Sequence, residues 1–219
     1  MRSAVAGYIP ILLDCEDQPC LVIGGGMIAE RKTQALLEAK ATVTVISPEL
    51  TEGLFELYET NHIVWERRVF ADGDTHGYWM IHATTDQVMV NRRIAEEAKM
   101  KGIPVNVASH VEASTFLNPA VMRRGRLTIS VSTEGAAPVV ATNICKLLNE
   151  EYGDEYEIYL DFLHRMRSEI KKSVNSPKQR HKLLRKLTEY PFLEEIRQGI
   201  FKEWNETQIH LWIVKNEED

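Results

Sequence analysis

Three consecutive glycines, residues 24–26, separate a short apolar run from a stretch with helical periodicity in the sequence LVIGGGMIAERK of residues 21–32. Glycine loses more backbone entropy on folding than any other residue, so a run of three indicates a tight turn or a close approach to the backbone. The spacing Gly24-x-Gly26-x-x-Ala29 is typical of a dinucleotide-binding turn between a strand and a helix. A glycine-rich turn also occurs for structural reasons alone, so the interpretation depends on the surrounding sequence.

The surrounding sequence alternates between short apolar or β-branched runs and helical patterns. The predicted strands are residues 20–23, 41–46, 63–69, 78–83 and 103–107, and the clearest helices are residues 27–39 and 86–101. Strands that alternate with helices over short connections favour an α/β fold with a Rossmann-like parallel sheet. In this context the glycine turn follows a strand and opens a helix, which favours a nucleotide site.

The remainder of the chain changes character twice. Residues 126–132 alternate in period two, and a helix is predicted from about Pro138, because proline suits a first helical turn. After about residue 150, apolar residues recur at steps of three and four, which predicts helices broken at residues 175–177. We therefore predict an NAD-binding Rossmann-like domain over 1–113, a small α/β dimerisation segment over 114–150 and a helical C-terminal domain over 151–219.

Composition narrows the classes of protein further. The net charge of −6 argues against a general nucleic-acid binder. The chain has no leader-like N-terminus and no run near the roughly 20 apolar residues that span a bilayer, so we expect no membrane segment. The three cysteines and seven histidines show no metal-ligand spacing, which predicts reduced thiols in a cytosolic protein without a bound metal.

The predicted cofactor site combines the glycine turn with two strand ends. The predicted cofactor-binding residues here are Gly24, Gly25, Gly26, Met27, Ile28, Ser47, Pro48, Thr84 and Thr85. Backbone amides of the turn and of the helix N-terminus would hold the pyrophosphate. Ser47-Pro48 stands where an acid often binds the ribose, so the chemistry leaves NAD and NADP both open. Thr84 and Thr85 suit either a ligand crevice or ordinary turn and cap chemistry, and the two are compatible.

Residues 105–138, VNVASHVEASTFLNPAVMRRGRLTISVSTEGAAP, make the interpretation more specific. Together with IGGGMIAERK and ATTDQVMVN, this segment resembles the precorrin-2 dehydrogenases of siroheme biosynthesis, both stand-alone enzymes and the N-terminal module of siroheme synthases. The resemblance runs from about Tyr8 to Leu148 and continues more loosely into NSPKQRHKLLRKL, which is similar to the stand-alone form. It implies NAD-dependent oxidation of precorrin-2 to sirohydrochlorin, a homodimer, and a place for Asn106 in the cofactor site.

The same resemblance marks a departure after the fifth strand. Family members that also insert iron carry an aspartate just after the Asn-Val strand end, whereas this chain has Ser109 and His110, with no carboxylate until Glu112. The departure implies a dehydrogenase without metal insertion. The catalytic candidates are Ser109, His110 and Ser132, the last a polar contact in the tetrapyrrole-side loop. His110 suits a base near neutrality, but loss of a proton to solvent is equally compatible with the chemistry.

Positive charge is concentrated near the C-terminal end. Residues 161–190 contain nine Lys or Arg and three Asp or Glu, which is either a solvated helix face or a wall for the eight carboxylates of precorrin-2. Arg123, Arg124 and Arg126 form a second cationic group. Three hypotheses remain open: the dehydrogenase alone, a bifunctional dehydrogenase–ferrochelatase using His110 or Glu112, and a nucleotide-sensing regulatory module. The third leaves residues 114–138 unexplained.

Overall fold

The computed structural model describes residues 7–217 and divides the chain into two compact units. The first unit extends to Asn118, and the second begins at Pro119. The finer division into 1–113, 114–150 and 151–219 stays a prediction.

The first unit is a parallel sheet with flanking helices, as the alternating pattern predicts. Its elements are β1 Pro19–Ile23, α1 Met27–Glu38, β2 Thr42–Ile46, α2 Glu52–Glu59, β3 Ile63–Glu66, β4 Met80–Ala83, α3 Val88–Met100, β5 Val105–Val107 and a 3₁₀ turn over Val111–Ala113. The five strands are all parallel in the order β3-β2-β1-β4-β5. Successive strands are therefore added outward in one direction from β1 to β3 and in the opposite direction from β4 to β5. Sheets of this kind bind ligands at the point of reversal, here between β1 and β4.

The sheet is buried on both faces. Val22 of β1 packs with Ala29 and Leu36 of α1 on one face, and Ile23 packs with Ile94 of α3 on the other. A strand that is covered on both faces reads as a continuous apolar run rather than an alternating one, as CLVI does at residues 20–23. The small Ala29 is fully buried, so α1 lies close to the sheet at its first turn.

Two local expectations required correction. The strand predicted over 63–69 ends at Glu66, because the Arg68 amide donates to the Glu66 carbonyl oxygen at 2.8 Å and turns the chain out of the sheet. The Arg68 guanidinium then pairs with Asp74 at 2.6 Å, which stabilises an irregular segment. Helix α2 was not predicted; Thr51 caps it by accepting a hydrogen bond from the Leu54 amide at 3.3 Å.

The second unit joins a β-hairpin to a set of helices. Its elements are β6 Ala120–Arg124, β7 Leu127–Val131, α4 Pro138–Glu151, α5 Glu155–Ser173, α6 Pro177–Leu187, α7 Phe192–Arg197 and α8 Glu206–Glu217. Strands β6 and β7 are antiparallel, and β6 was missed by the sequence analysis. Phe162 of α5 is the centre of the helical core, with the rings of Phe192, Phe201 and Trp204 edge-on at 4.9–5.5 Å. No helix within residues 7–217 is both long enough and apolar enough to cross a membrane.

A buried histidine lies in the centre of the parallel sheet. His82 of β4 is only 1% exposed, and its register partners are Val22 and Asn106. Its Nδ1 atom has no hydrogen-bond partner among the described residues, while the ring bonds to the Asn106 side chain. Burial, assisted by the positive charge of Lys32, lowers the pKa of His82 to about 3. His82 is therefore neutral in the folded protein at physiological pH.

This histidine makes stability depend on pH. The unfolded chain takes up a proton at His82 below about pH 6.5, but the folded chain does not until about pH 3, so stability falls as the pH drops through this window. We expect wild-type protein to lose up to about 1.4 kcal/mol per pH unit between pH 6.5 and 5 from this group. Urea unfolding of His82→Asn should show a shallower pH dependence in that range.

His76→Asn makes the same exchange at an exposed position and provides the matched control for His82→Asn. The lowered carboxyl pKa values of Asp74 and Glu97 affect stability only at more acidic pH, outside the measured window. Equal pH dependence in wild type and His82→Asn would contradict the prediction.

Candidate dinucleotide-binding site

A cleft of about 920 Å³ opens at the carboxyl ends of β1, β2 and β4. Its floor is the glycine turn and the start of α1, and its walls come from the segments that follow the strands. The lining residues are Ile23, Gly24, Gly25, Gly26, Met27, Ile28, Ile46, Ser47, Pro48, Glu49, Leu50, Thr51, Val69, Phe70, Thr84, Thr85, Asp86, Gln87 and Val90. The cleft therefore gathers every predicted cofactor-binding residue except Asn106.

Each of the three glycines has a distinct environment. Gly24 has a φ of +121°, and a Cβ there would lie 2.7 Å from the Thr84 hydroxyl oxygen. A Cβ at Gly25 would overlap the carbonyl oxygen of Glu49. A Cβ at Gly26 meets nothing within 4 Å, so this position faces open space in the cleft. The first two glycines thus permit close packing of the strand ends, and the third leaves room for a ligand.

Helix α1 begins directly after Gly26, next to the open space in the cleft. Gly26 is the N-cap residue, and no side chain caps the helix. The first intrahelical bond runs from the Glu30 amide to the Gly26 carbonyl oxygen at 3.0 Å, so the preceding amides of the first turn have no intrahelical partner. Amides and the positive end of the helix dipole together favour a phosphate group. These residues fit the pyrophosphate of a dinucleotide.

The rim beside β2 is shaped by hydrogen bonds inside the protein. Ser47 is 7% exposed and donates its hydroxyl proton to the Glu49 carbonyl oxygen at 2.7 Å. The Trp65 indole of β3 donates to the Ser47 carbonyl oxygen at 2.9 Å and holds the end of β2 in place. The charged residues that line the cleft are Glu49 and Asp86, with no Lys or Arg among the described lining residues.

The opposite wall is the turn after β4. Thr84 is 9% exposed, and both its amide and its hydroxyl donate to the Ile23 carbonyl oxygen, at 2.8 and 2.9 Å. Thr85 bonds to the side chain of Asn91. Both threonines border the cleft, and both also make the turn contacts that the alternative interpretation expects.

The structure places Asn106 and the candidate catalytic residues of the first unit elsewhere. Asn106 is 6% exposed and donates from Nδ2 to the Phe116 carbonyl oxygen at 3.1 Å. Ser109 and His110 are exposed in the turn after β5, with 3.0 Å between the Ser109 hydroxyl oxygen and His110 Nδ1. His110 and Glu112 line a second cleft of about 400 Å³, between α3 and the end of β5.

Ser132 belongs to the second unit and accepts a hydrogen bond from the Glu134 amide at 3.1 Å. Two arginines of the predicted cationic group are paired with carboxylates: Arg124 Nε lies 3.1 Å from Asp154, and Arg126 Nε lies 2.8 Å from Asp161. Their charge is therefore partly neutralised within the unit. The roles of Ser109, His110 and Ser132 toward a substrate stay predictions.

Sequence analysis missed several apolar residues of the cofactor cleft. Val69 and Phe70 come from the irregular segment after β3, and Leu50 and Val90 complete the apolar walls. Val69 was assigned to the strand predicted over 63–69, and Phe70 follows directly after it. The run predicted as a strand, residues 63–69, is longer than a typical strand of about five or six residues. This excess length was the signal that the end of the run leaves the sheet.

The cysteines and histidines show no sign of a reactive or metal-binding centre. Cys15, Cys20 and Cys145 are buried free thiols, and burial raises the pKa of Cys20 to about 12. Among the described residues, no group of three or more His, Cys, Asp or Glu side chains is arranged to hold a metal ion.

The strand–glycine turn–helix geometry at the switch point of a parallel sheet defines a dinucleotide-binding α/β domain. The family model described as "Putative NAD(P)-binding" matches residues 11–120, half of the chain, and the chain belongs to this family. A second model, described as the SirC C-terminal domain, matches residues 156–201.

Two similar proteins are siroheme synthases. The siroheme synthase of Methylococcus capsulatus is 34% identical over 196 residues, covering 88% of this chain and 40% of that protein. The siroheme synthase of Methylobacillus flagellatus is 35% identical over 199 residues, covering 89% of this chain and 40% of that protein. The chain thus spans about two fifths of the length of these relatives.

A solved structure shares the fold of this chain. The structure named SirC, precorrin-2 dehydrogenase, aligns with a TM-score of 0.74 and 24% identity, covering 97% of this chain and 100% of its own. The fold is therefore shared over both units.

The open position at Gly26 generates a binding prediction. Gly26→Asp would place a carboxylate where the pyrophosphate is expected, so NAD⁺ affinity should fall at least tenfold, about 1.4 kcal/mol. Isothermal titration calorimetry on folded protein measures this change. Gly26→Ala adds a methyl group into open space without charge and should lose less affinity. An unchanged dissociation constant in Gly26→Asp would refute this site.

Proposed function

We propose that this chain oxidises precorrin-2 to sirohydrochlorin with NAD⁺ and does not insert metal. The observation that carries the proposal is the match of residues 156–201 to the SirC C-terminal domain, in the same chain as the NAD(P)-binding match at residues 11–120. The names of the similar proteins, siroheme synthase and SirC, precorrin-2 dehydrogenase, support the same chemistry.

The overall reaction removes two electrons and two protons from precorrin-2. NAD⁺, when bound, supplies the hydride acceptor, and one proton leaves to solvent or to a base. The product gains conjugation, so the main task of the protein is to orient the substrate against the cofactor. The amides of Gly26, Met27 and Ile28 hold the pyrophosphate, and the apolar walls at Phe70 and Val90 exclude water from the cleft.

NAD⁺ fits this cleft better than NADP⁺. A 2′-phosphate adds negative charge and is normally met by an arginine or a lysine. The described cleft residues offer none, and Glu49 and Asp86 add negative charge at its rim. Ser47 and Pro48 therefore suit a ribose without the additional phosphate.

Metal insertion is disfavoured by the side chains after β5. Stripping pyrrole protons and delivering a divalent ion call for a base and usually a carboxylate ligand. Ser109 is neutral, and His110 would become a cation beside the incoming metal. Glu112, the nearest carboxylate in sequence, is exposed at the second cleft.

Charge in the second unit suits a substrate with eight carboxylates. Helix α6 carries five Lys or Arg and no carboxylate. Precorrin-2 is thus our proposed substrate, with Ser109, His110 and Ser132 as proposed polar contacts. The cytosol is the proposed location, because the buried thiols suit a reducing compartment.

A turnover assay tests the activity. We expect precorrin-2 to be converted to sirohydrochlorin with NAD⁺ much faster than with NADP⁺, monitored by NADH absorbance and by the product spectrum. Since His110 is exposed to water, His110→Ala should lose less than tenfold in rate, whereas a general base typically contributes 10²–10⁴-fold. Insertion of Fe²⁺ or Co²⁺ that scales with enzyme concentration would contradict the proposed lack of chelatase activity.

We also propose a homodimer that uses an exposed apolar face of α4. Val140, Ile144 and Leu147 share one side of the helix at i, i+4 and i+7, and all are exposed, while Ala141 and Cys145 are buried on another side. Such a face on a surface helix is typical of an interface.

Sedimentation should therefore give the mass of two chains at micromolar concentration. Leu147→Asp places a charge in the apolar face and should shift the mass toward one chain. Asn149→Asp adds the same charge on the opposite side of α4 and should leave the dimer intact. A wild-type mass of one chain would contradict this proposal.

A further inference from the structure

Asn91 makes an unusually complete set of hydrogen bonds to a single residue of the cleft wall. It is 1% exposed on α3. Its Oδ1 atom accepts from the Thr85 amide at 3.1 Å and from the Thr85 hydroxyl at 2.7 Å. Its Nδ2 atom donates to the Thr85 carbonyl oxygen at 2.8 Å. One buried amide therefore binds the amide, the carbonyl and the hydroxyl of Thr85 at the same time.

These bonds replace the backbone partners that an irregular turn lacks. Thr85 follows the end of β4 and precedes α3, so its amide and carbonyl have no strand or helix partner of their own. Buried polar groups without partners destabilise a fold. The short side chain of Asn91, in the helix that follows, provides a partner for both the amide and the carbonyl oxygen of Thr85. Asn91 thus fixes the path of the turn rather than filling space.

The path of this turn controls the shape of the cleft. Residues 84–87 form one wall, and Gly24 packs so closely on Thr84 that a Cβ would not fit between them. A displaced turn would move against the glycine loop that is expected to hold the pyrophosphate. The wall and the floor of the cleft are therefore coupled through this contact.

We propose that Asn91 is a positioning residue for the dinucleotide. It acts through Thr85, and it does not itself line the cleft. The proposal rests on the nucleotide binding of the proposed function. It requires a side chain with two acceptor lone pairs and a donor in one planar group, which asparagine has and leucine or aspartate lacks.

The Asn91→Asp variant separates positioning from mere packing, because it keeps the shape of the side chain. An ionised carboxylate accepts both bonds from Thr85 but faces the Thr85 carbonyl oxygen without a proton to donate. Burial should raise the pKa of the new carboxyl, and once protonated it donates to that carbonyl and restores the set. We expect NAD⁺ to bind at least tenfold more weakly than to wild type at pH 8 and within threefold at pH 5.5.

Two further variants complete the design. Met89→Asp places a carboxylate on the same helix at an exposed position and breaks no bond to Thr85, so it measures the effect of charge alone. Asp86, a carboxylate in the same turn as Thr85, is unchanged in wild type and in each variant. Its charge therefore does not contribute to the differences between them. Asn91→Leu removes all three bonds and should weaken NAD⁺ binding at both pH values.

Calorimetric titration of NAD⁺ at the two pH values, with thermal unfolding of each apo variant, decides between the outcomes. Recovery of affinity at pH 5.5 in Asn91→Asp, without a matching recovery in Met89→Asp, supports the proposal. A dissociation constant for Asn91→Asp that equals wild type at pH 8, or that changes with pH as Met89→Asp does, overturns it. NAD⁺ binding by wild type without turnover of precorrin-2 would overturn the proposed function and leave this test intact. Lack of NAD⁺ binding by wild type would overturn both.

Discussion

The close packing of the glycine turn against the ends of β2 and β4 is the constraint on which the cleft depends. Gly24 lies against Thr84, and Gly25 lies against the Glu49 carbonyl oxygen, at distances that exclude a Cβ. The turn lies between the segments that follow β2 and β4, and only three residues, Gly24 to Gly26, connect β1 to α1. This brings the amides of an uncapped helix N-terminus to the floor of the cleft, where they attract phosphate.

Side chains around the cleft mostly bind the protein itself. Ser47 donates to Glu49, Thr84 to Ile23 and Asn106 to Phe116. Backbone groups are therefore the main donors left for a phosphate, and polar side chains fix the geometry in which those groups are presented. The carboxylates of Glu49 and Asp86 at the rim add negative charge, which is unfavourable for an additional phosphate.

The candidate residues for chemistry in the first unit, Ser109 and His110, do not line the cofactor cleft. His110 lines the second cleft, between α3 and the end of β5, whereas the cofactor cleft lies at the carboxyl ends of β1, β2 and β4. The turn that carries His110 is held to β5 by the hydroxyls of Ser114 and Thr115, which accept from the amides of Val107 and Val105. These two bonds hold the turn in place at the end of the strand.

The sequence by itself determined the parallel α/β fold, the glycine turn and the helix break at residues 175–177, because hydrophobic periodicity and Gly or Pro chemistry act over a few neighbouring residues. It also indicated nine of the 19 residues that line the cleft, since the carboxyl ends of parallel strands meet at one edge. Only the tertiary structure decided that Val69 and Phe70 line the cleft, that Asn91 holds Thr85 and that His82 stays neutral. These properties depend on burial and on hydrogen-bond partners from separate elements, which no local pattern encodes.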